Sequence, residues 1–511
     1  MQTSRINKVT KNATVSSVCK VIDLILNFIV RTLFIKYLSE EYLGINGLFG
    51  NVLMLLSFAE LGIGNAITYS LYKPIANEDK EKIKSIMNLF KVAYRIIATV
   101  VLIIGFALVP IIKWLIPIEQ IPHVQENIVV IYLIYLFNTV TSYFFTFKQT
   151  LIIADQKQYV VSIFSEISSI ISAIVRCIVL VLTRNYLLYL IIQSIILLAG
   201  NYILAKKIDR EYPILKEKHI YKLEKNELQE IINNVRAMFV FKIGNVIFSG
   251  TDNIIIAKIV NIVTVGIASQ YTLIINSISS VIGQLLNAFT ASIGNINAIE
   301  NDEHKERVFY QVMFLCFWIY SFICSGIFVC VDDLIVIWIG EKYLLSKWVI
   351  LALVSVLFFD GLSFVTYTYR ITFGLFRKAV YIPILSSLIN VFLSIILGKI
   401  FGLAGIYFAT AIARILVNNL IDSYLVTKCC FHKTALKYHI LYIRYTVFTI
   451  INTVICAQMI SFLPLKGIFQ FMLKIILYTI AYNIVFVICN YKDNNFKYIK
   501  SLVFKMFYKS N

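Results

Sequence analysis

Runs of predominantly apolar residues, each near the ~20-residue length that crosses a hydrocarbon core of roughly 30 Å, repeat from residue 13 to residue 490 with short polar breaks between them. They predict helices over 13–35, 43–72, 92–112, 127–147, 159–182, 187–205, 237–257, 266–299, 308–330, 348–369, 379–398, 402–427, 438–462 and 469–490. The expected fold is an all-α integral membrane protein of about 14 transmembrane helices. No break is long enough to hold a soluble domain. In the longest one, Ile220, Leu223, Leu228, Ile231, Ile232 and Val235 fall near helical spacing, which predicts an amphipathic segment lying on the membrane surface. The N-terminal residues carry Arg5, Lys8 and Lys11 before an apolar stretch, as a signal peptide does. That stretch is too long and too charged, and no small-residue cleavage site follows, so it is expected to stay as the first helix.

Composition agrees. With 59% hydrophobic and 15% charged residues and a mean hydropathy of +0.80, an ordinary soluble globule is excluded. The net charge of +19 does not imply nucleic acid, because the bases fall between apolar runs instead of gathering on one folded face. With a cytoplasmic N-terminus, most of the 47 Lys and Arg lie on the inner side, in KPIANEDKEKIK from Lys73, in 206–236 and in the tail from Tyr491. The positive-inside rule then places both termini in the cytoplasm. The tail interleaves Phe496, Ile499, Val503 and Met506 with lysines, a pattern suited to an anionic leaflet. Nine cysteines follow no framework and read as buried reduced thiols. Cys429, Cys430 and His432 lack a fourth metal ligand. With no Gly-rich phosphate loop, no nucleophile beside a placed base and no complete metal set, neither a cofactor nor catalysis is expected.

The chain also repeats itself. A shift of 222 residues places Lys20 on Lys242, Lys36 on Lys258, Gly44 on Gly266 and Ile45 on Ile267. It also places Asp23 on Asn245, Asn27 on Ser249 and Arg31 on Asn253. The IGN of 63–65 returns at 293–295, NEDKEK from Asn77 meets NDEHKE from Asn301, and Gln156-Lys157 meets Arg377-Lys378. Six helices separate equivalent points, so the copies run in the same direction: two six-helix parallel repeats and two extra C-terminal helices. The expected divisions are an N-terminal lobe at 1–205, a cytoplasmic linker at 206–236, a C-terminal lobe at 237–427, two additional helices at 428–490 and a basic tail at 491–511.

Arg95, Arg444 and Lys474 lie near helix ends and can snorkel. Lys20, Arg31, Arg176, Lys242 and Arg414 lie deeper, where each costs roughly 2.5–3.5 kcal/mol at the bilayer centre. They are expected to face water, a partner charge or a ligand. Lys20, Asp23, Asn27 and Arg31 step along one helix face, and Lys242, Asn245, Ser249 and Asn253 step identically. Glu166, Ser169 and Arg176 trace a third polar line, answered in the second copy by Ser387 and Asn390. The candidate substrate cavity is therefore Lys20, Asn27, Arg31, Glu166, Arg176, Lys242, Asn245, Ser249, Asn253 and Arg414. The candidates for ion coupling are Asp23, Asp252 and Asp360, with Glu60 the other deep acid. Arginine suits phosphate because its planar fork donates two hydrogen bonds and keeps its charge. Deep acids nearly balance deep bases, so the sign of the cargo stays open, as does a purely structural pairing of Lys20 with Asp23.

Six plus eight helices, duplicated lobes, GIGNAI at 62–67 before a charged inner loop, and GTDNIIIAKIV at 250–260 resemble the polysaccharide flippase family. Its superfamily includes the multidrug and toxin extrusion antiporters and the flippase for the peptidoglycan lipid precursor. The similarity covers nearly the whole chain. It implies a bacterial inner-membrane protein that turns an undecaprenyl-diphosphate-linked oligosaccharide from the cytoplasmic to the outer leaflet by alternating access, for capsule or lipopolysaccharide synthesis. Lys20, Arg31, Arg176 and Lys242 would then touch the headgroup, Asp23 or Asp252 would carry a proton or sodium ion, and a groove at the last two helices would take the lipid tail. Membrane lipids and other polysaccharide-assembly proteins are the partners so implied. A cation-coupled multidrug antiporter is the alternative, opposed by the two extra helices and the deep bases. A membrane-embedded polymerase or glycosyltransferase would need a catalytic loop larger than the longest outer one, VDDLIVIWIGEKYLLSK from Val331, where Asp332 and Asp333 read as solvated.

Overall fold

A computed structural model describes residues 2–56, 63–116, 121–216, 225, 228–229, 231–233, 235, 250–299, 301–375, 378–461 and 467–508. The chain is all-α, with no strand among the described residues. Of the 14 long helices among the described residues, 10 are long and apolar enough to cross a membrane, and the protein is a multi-pass membrane protein. The packing falls into two compact units, Met1–Gly266 and Ile267–Asn511.

Helix starts follow side chains that accept the first unpaired backbone N–H groups. Asp79 accepts from Lys82 N, Asn127 from Val129 N, Asn185 from Leu188 N and Asn301 from His304 N. In the first unit these begin, in turn, α4 (Lys80–Ala107), α6 (Ile128–Ala154) and α8 (Tyr186–Glu211). Before and between them stand α1 (Gln2–Tyr37), α2 (Glu40–Leu56), α3 (Ile63–Ala76), α5 (Val109–Leu115) and α7 (Gln158–Thr183). The expected span 43–72 is thus two helices, with 57–62 and Glu60 outside the described residues. α1 lies along α7, α7 along α8, and α6 packs against both α4 and α8. The expected amphipathic segment at 206–236 is described only in part; within it Ile231 is helical and buried.

The unit closes with α9 (Asp252–Ile259) and the first residues of α10 (Ile262–Ile299). Here two glycines bring backbones together. A Cβ on Gly44 would stand 2.0 Å from the Ile262 carbonyl oxygen, and one on Gly266 would stand 2.9 Å from both the Glu40 carbonyl oxygen and the Gly44 nitrogen. Glu40 and Gly44 shifted by 222 are Ile262 and Gly266, so each glycine meets the repeat counterpart of what the other meets. Small residues permit this approach in a membrane, where packing takes over from hydrophobic association. Gly44→Val is expected to destabilise the protein at or beyond the upper end of the ~1–3 kcal/mol typical of overpacking, because the obstructing atom is backbone. Thermal unfolding of the purified variant in detergent checks this; an unchanged midpoint would contradict it.

The second unit contains the rest of α10, α11 (Asp302–Trp338), α12 (Lys347–Leu362), α13 (Phe364–Thr372), α14 (Tyr381–Ala413), α15 (Asp422–Phe431), α16 (Leu436–Ser461), α17 (Ile468–Asn490) and α18 (Asn494–Tyr508). Inside α14 the backbone breaks at Gly402 (φ 61°, ψ −138°), the first residue of the expected helix 402–427 and just past the expected 379–398. Glycine alone tolerates that conformation without strain. A π-helical stretch, Arg414–Ile421, then joins α14 to α15; in it the buried Asn419 donates from Nδ2 to the Phe359 and Arg414 carbonyls at 2.9 and 3.0 Å.

Phe314, Phe317, Tyr445, Phe448 and Phe486 form an aromatic core between α11, α16 and α17. Phe496, at 8% exposure, joins it from α18. The apolar face of the tail is therefore docked on protein near its start. Elsewhere α16 and α17 expose Ile443, Val447, Ile450, Ile476, Ile480 and Ile484 at helical spacing, the faces that the bilayer would cover.

Candidate functional site

The polar stripe on α1 divides in two. At its lower part Lys20 Nζ stands 3.9 Å from Asp23 Oδ2, and Glu166 of α7 lies close enough to both to feel their charges. Glu166 is 9% exposed, and its Oε1 is buried without a hydrogen-bond partner among the described residues. A hydrogen bond of 3.1 Å between Ser16 and Ser162 pins the two helices alongside. Lys20 is paired with Asp23, and Glu166 lies near that pair. Asn27, farther along, is exposed.

At its upper part Arg31 lies near the hydroxyls of Tyr135, Tyr186 and Tyr189. Tyr135 donates to Asn46 Oδ1 at 2.9 Å and meets the Tyr186 hydroxyl at 3.3 Å. Arg176 reaches the same aromatic group from α7: its guanidinium donates to the Tyr189 hydroxyl at 3.0 Å, to Gln193 Oε1 at 3.2 Å and to the Ser172 carbonyl at 3.2 Å. Its guanidinium carbon also stands 5.2 Å from the centre of the Tyr189 ring. No carboxylate pairs with Arg176 among the described residues. The tyrosines were not singled out by sequence, because their hydropathy does not set them apart from the apolar residues around them.

α7 accordingly has three faces. Ile163, Ile167, Ile171, Ile174 and Ile178 are exposed and apolar, Glu166 lies near Lys20 and Asp23 on α1, and Ser165, Ser168, Ser169, Ser172 and Arg176 turn toward α6 and α8. The expected line of Glu166, Ser169 and Arg176 is therefore split between two surroundings. Ser169 and Arg176 line a cavity of about 210 Å³ within the first unit, with Gln149, Gln193 and Asn201 on its other walls.

Asp252 and Asn253 open α9, and Asn253 Nδ2 lies 3.8 Å from where a Cβ on Gly47 would stand. Lys242, Asn245 and Ser249 lie outside the described residues. In the second unit Arg414 and Asp360 pair at 3.2 Å, so a substrate candidate and an ion candidate neutralise each other. Asn390 donates to Thr410 at 2.8 Å, both buried, and Ser387 bonds within its own helix.

Sequence reasoning missed one pair. Arg370 of α13 and Asp422 of α15 meet at 3.0 Å with side chains 4% and 2% exposed. A signal existed: a shift of 222 carries Lys148 onto Arg370, and Lys148 of α6 pairs at 2.7 Å with Asp209 of α8. In each expected six-helix repeat a base at or just past the fourth predicted span thus pairs with an aspartate at or just past the sixth.

A family described as polysaccharide biosynthesis protein matches residues 9–293 of the chain. Among solved structures, the lipid II flippase MurJ in an inward closed conformation is 18% identical, with 93% of this chain and 98% of that chain covered at a TM-score of 0.64. An inward-facing multidrug resistance MATE family transporter of the MOP superfamily is 13% identical, covering 81% and 98% at 0.61. A MOP superfamily transporter from Pyrococcus furiosus, described by a reverse polarity of its binding pocket, is 13% identical, covering 84% and 96% at 0.52. No curated protein matches the chain. These likenesses show an all-α membrane transporter fold.

Proposed function

Because this chain belongs to the polysaccharide biosynthesis protein family, we propose that it turns an undecaprenyl-diphosphate-linked oligosaccharide from the cytoplasmic to the outer leaflet of a bacterial inner membrane by alternating access. The observation that carries this reading is Arg176, held at a cavity by neutral oxygens alone among the described residues. A guanidinium so placed keeps its charge and has donors to spare for a phosphate or another anion. Arg31 and Lys20 are further headgroup candidates, and both termini and the 206–236 segment are assigned to the cytoplasm. A multidrug antiporter for cationic drugs would favour acids where Arg176 stands.

Lys20, Asp23 and Glu166 supply the complementary chemistry. One ammonium paired with Asp23 leaves Glu166 without an ion-pair partner among the described residues, and its Oε1, without a hydrogen-bond partner among them, suits a proton or a sodium ion as the coupling partner. Glu166→Gln is expected to remove the dependence of transport on an ion gradient while leaving the folded protein in the membrane. The test is translocation of the lipid-linked oligosaccharide in vesicles containing the purified chain, with and without sodium and pH gradients. Gradient-driven transport surviving unchanged in Glu166→Gln would contradict the coupling role; no translocation by the wild-type chain under any gradient would contradict the function.

A further inference from the structure

The cavity between α6, α7 and α8 has a composition that a packing defect would not select. Beside apolar side chains, α7 brings four hydroxyls to it, from Ser165, Ser168, Ser169 and Ser172, and carboxamides face them from Gln193 and from the Gln149–Asn201 pair, which is itself bonded at 3.3 Å. Gly200 lets α8 come close, since a Cβ there would stand 2.2 Å from the Ser168 hydroxyl. Arg176 is the one charged side chain among the described residues that line it. The cavity therefore offers neutral donors and acceptors beside apolar walls from Val161, Phe164, Leu197 and Leu204, with a single positive charge among the described residues that line it.

We infer that this cavity is a binding subsite for one acidic sugar of the cargo, a hexuronate whose carboxylate meets Arg176 and whose hydroxyls meet the serines and carboxamides. Three matches carry the assignment. The cavity, of about 210 Å³, has room for a single pyranose. One guanidinium balances one carboxylate, and Arg176 is the single base among the described residues that line the site. Hydroxyl and amide walls satisfy sugar hydroxyls that an apolar wall would leave unpaired, which is how a site built to hydrogen-bond rejects analogues lacking those groups. The subsite lies wholly within the first unit. It makes the chain selective for glycans that carry an acidic residue.

The inference rests on the flippase reading for its cargo, but its test reads binding alone. Purified full-length chain in lipid nanodiscs is titrated with sodium glucuronate, glucose or sodium acetate while the thermal unfolding midpoint is followed. Glucuronate is expected to raise the midpoint saturably and above the other two. In Arg176→Gln the apparent glucuronate affinity should fall about tenfold or more, the loss of one charge-assisted contact, and Arg176→Lys should keep part of it. Ser169→Leu, which fills the cavity and spares the charge, should abolish the glucuronate effect and provides a second arm if Arg176→Gln does not fold. A glucuronate shift no greater than that of glucose, or one that persists in folded Arg176→Gln or Ser169→Leu, overturns the proposal. Glucuronate-selective stabilisation without any translocation in vesicles would overturn the flippase reading and leave the subsite; translocation without selective stabilisation would do the reverse.

Discussion

Asp422→Ala is expected to destabilise the protein by about 3–5 kcal/mol, the cost of leaving a buried charge without its partner. Arg370 is 4% exposed and its contact at 3.0 Å with Asp422 joins α13 to α15. It also lies over the Tyr367 ring at 5.2 Å, so the side chain cannot withdraw to water without undoing its packing. Replacing both partners, Arg370→Met with Asp422→Leu, should recover most of the loss, because an apolar pair of similar volume pays no desolvation. Reversible unfolding of purified protein in mixed micelles measures each variant. An Asp422→Ala protein within about 1 kcal/mol of wild type, as expected for an exposed ion pair, would show that the contact does not hold the second unit together.

Arg31→Ala and Lys20→Ala are each expected to abolish surface polysaccharide in a strain that depends on this gene, at unchanged protein level in the membrane. Loss of a charge-assisted contact to an anionic headgroup is worth about 1.5–3 kcal/mol, a factor of roughly ten to more than one hundred in affinity. Arg31→Lys separates charge from geometry, since lysine keeps the charge and loses the fork that can bind two phosphate oxygens at once. Full activity in both alanine variants would remove α1 from the cargo pathway and leave its stripe a structural one, with Lys20 and Asp23 serving each other at 3.9 Å.

Hydropathy alone located most membrane helices of the described residues, because lipid imposes one length and one polarity on every span. The expected gap between 398 and 402 corresponds to the chain's break at Gly402, where a backbone conformation must be allowed. The pairings were harder to read. Arg370 lies just past the end of an expected span and Asp422 inside one, and neither reveals from hydropathy that it is buried; the shift of 222 that carries Lys148 onto Arg370 holds that information. Glu166 and Arg176 share a helix and looked like one line, yet three faces fit around α7 and the two side chains separate. Tyr135, Tyr186 and Tyr189 count as span-forming residues in any hydropathy sum, and only packing brings their hydroxyls to Arg31 and Arg176. Local composition sets which segments span; which polar atoms meet depends on helix rotation and neighbour order.

The central claim is that the chain moves a finished lipid-linked oligosaccharide across the membrane. The most direct measurement extracts polyprenyl lipids from a bacterial strain lacking the gene and asks which leaflet holds the diphosphate-linked oligosaccharide. Complete precursor is expected to accumulate and to stay shielded from probes applied outside. Normal precursor levels and normal surface polysaccharide, with heightened sensitivity to cationic drugs, would contradict it in favour of an antiporter, and precursors that reach the outer face as single unpolymerised repeats would contradict it in favour of a polymerase.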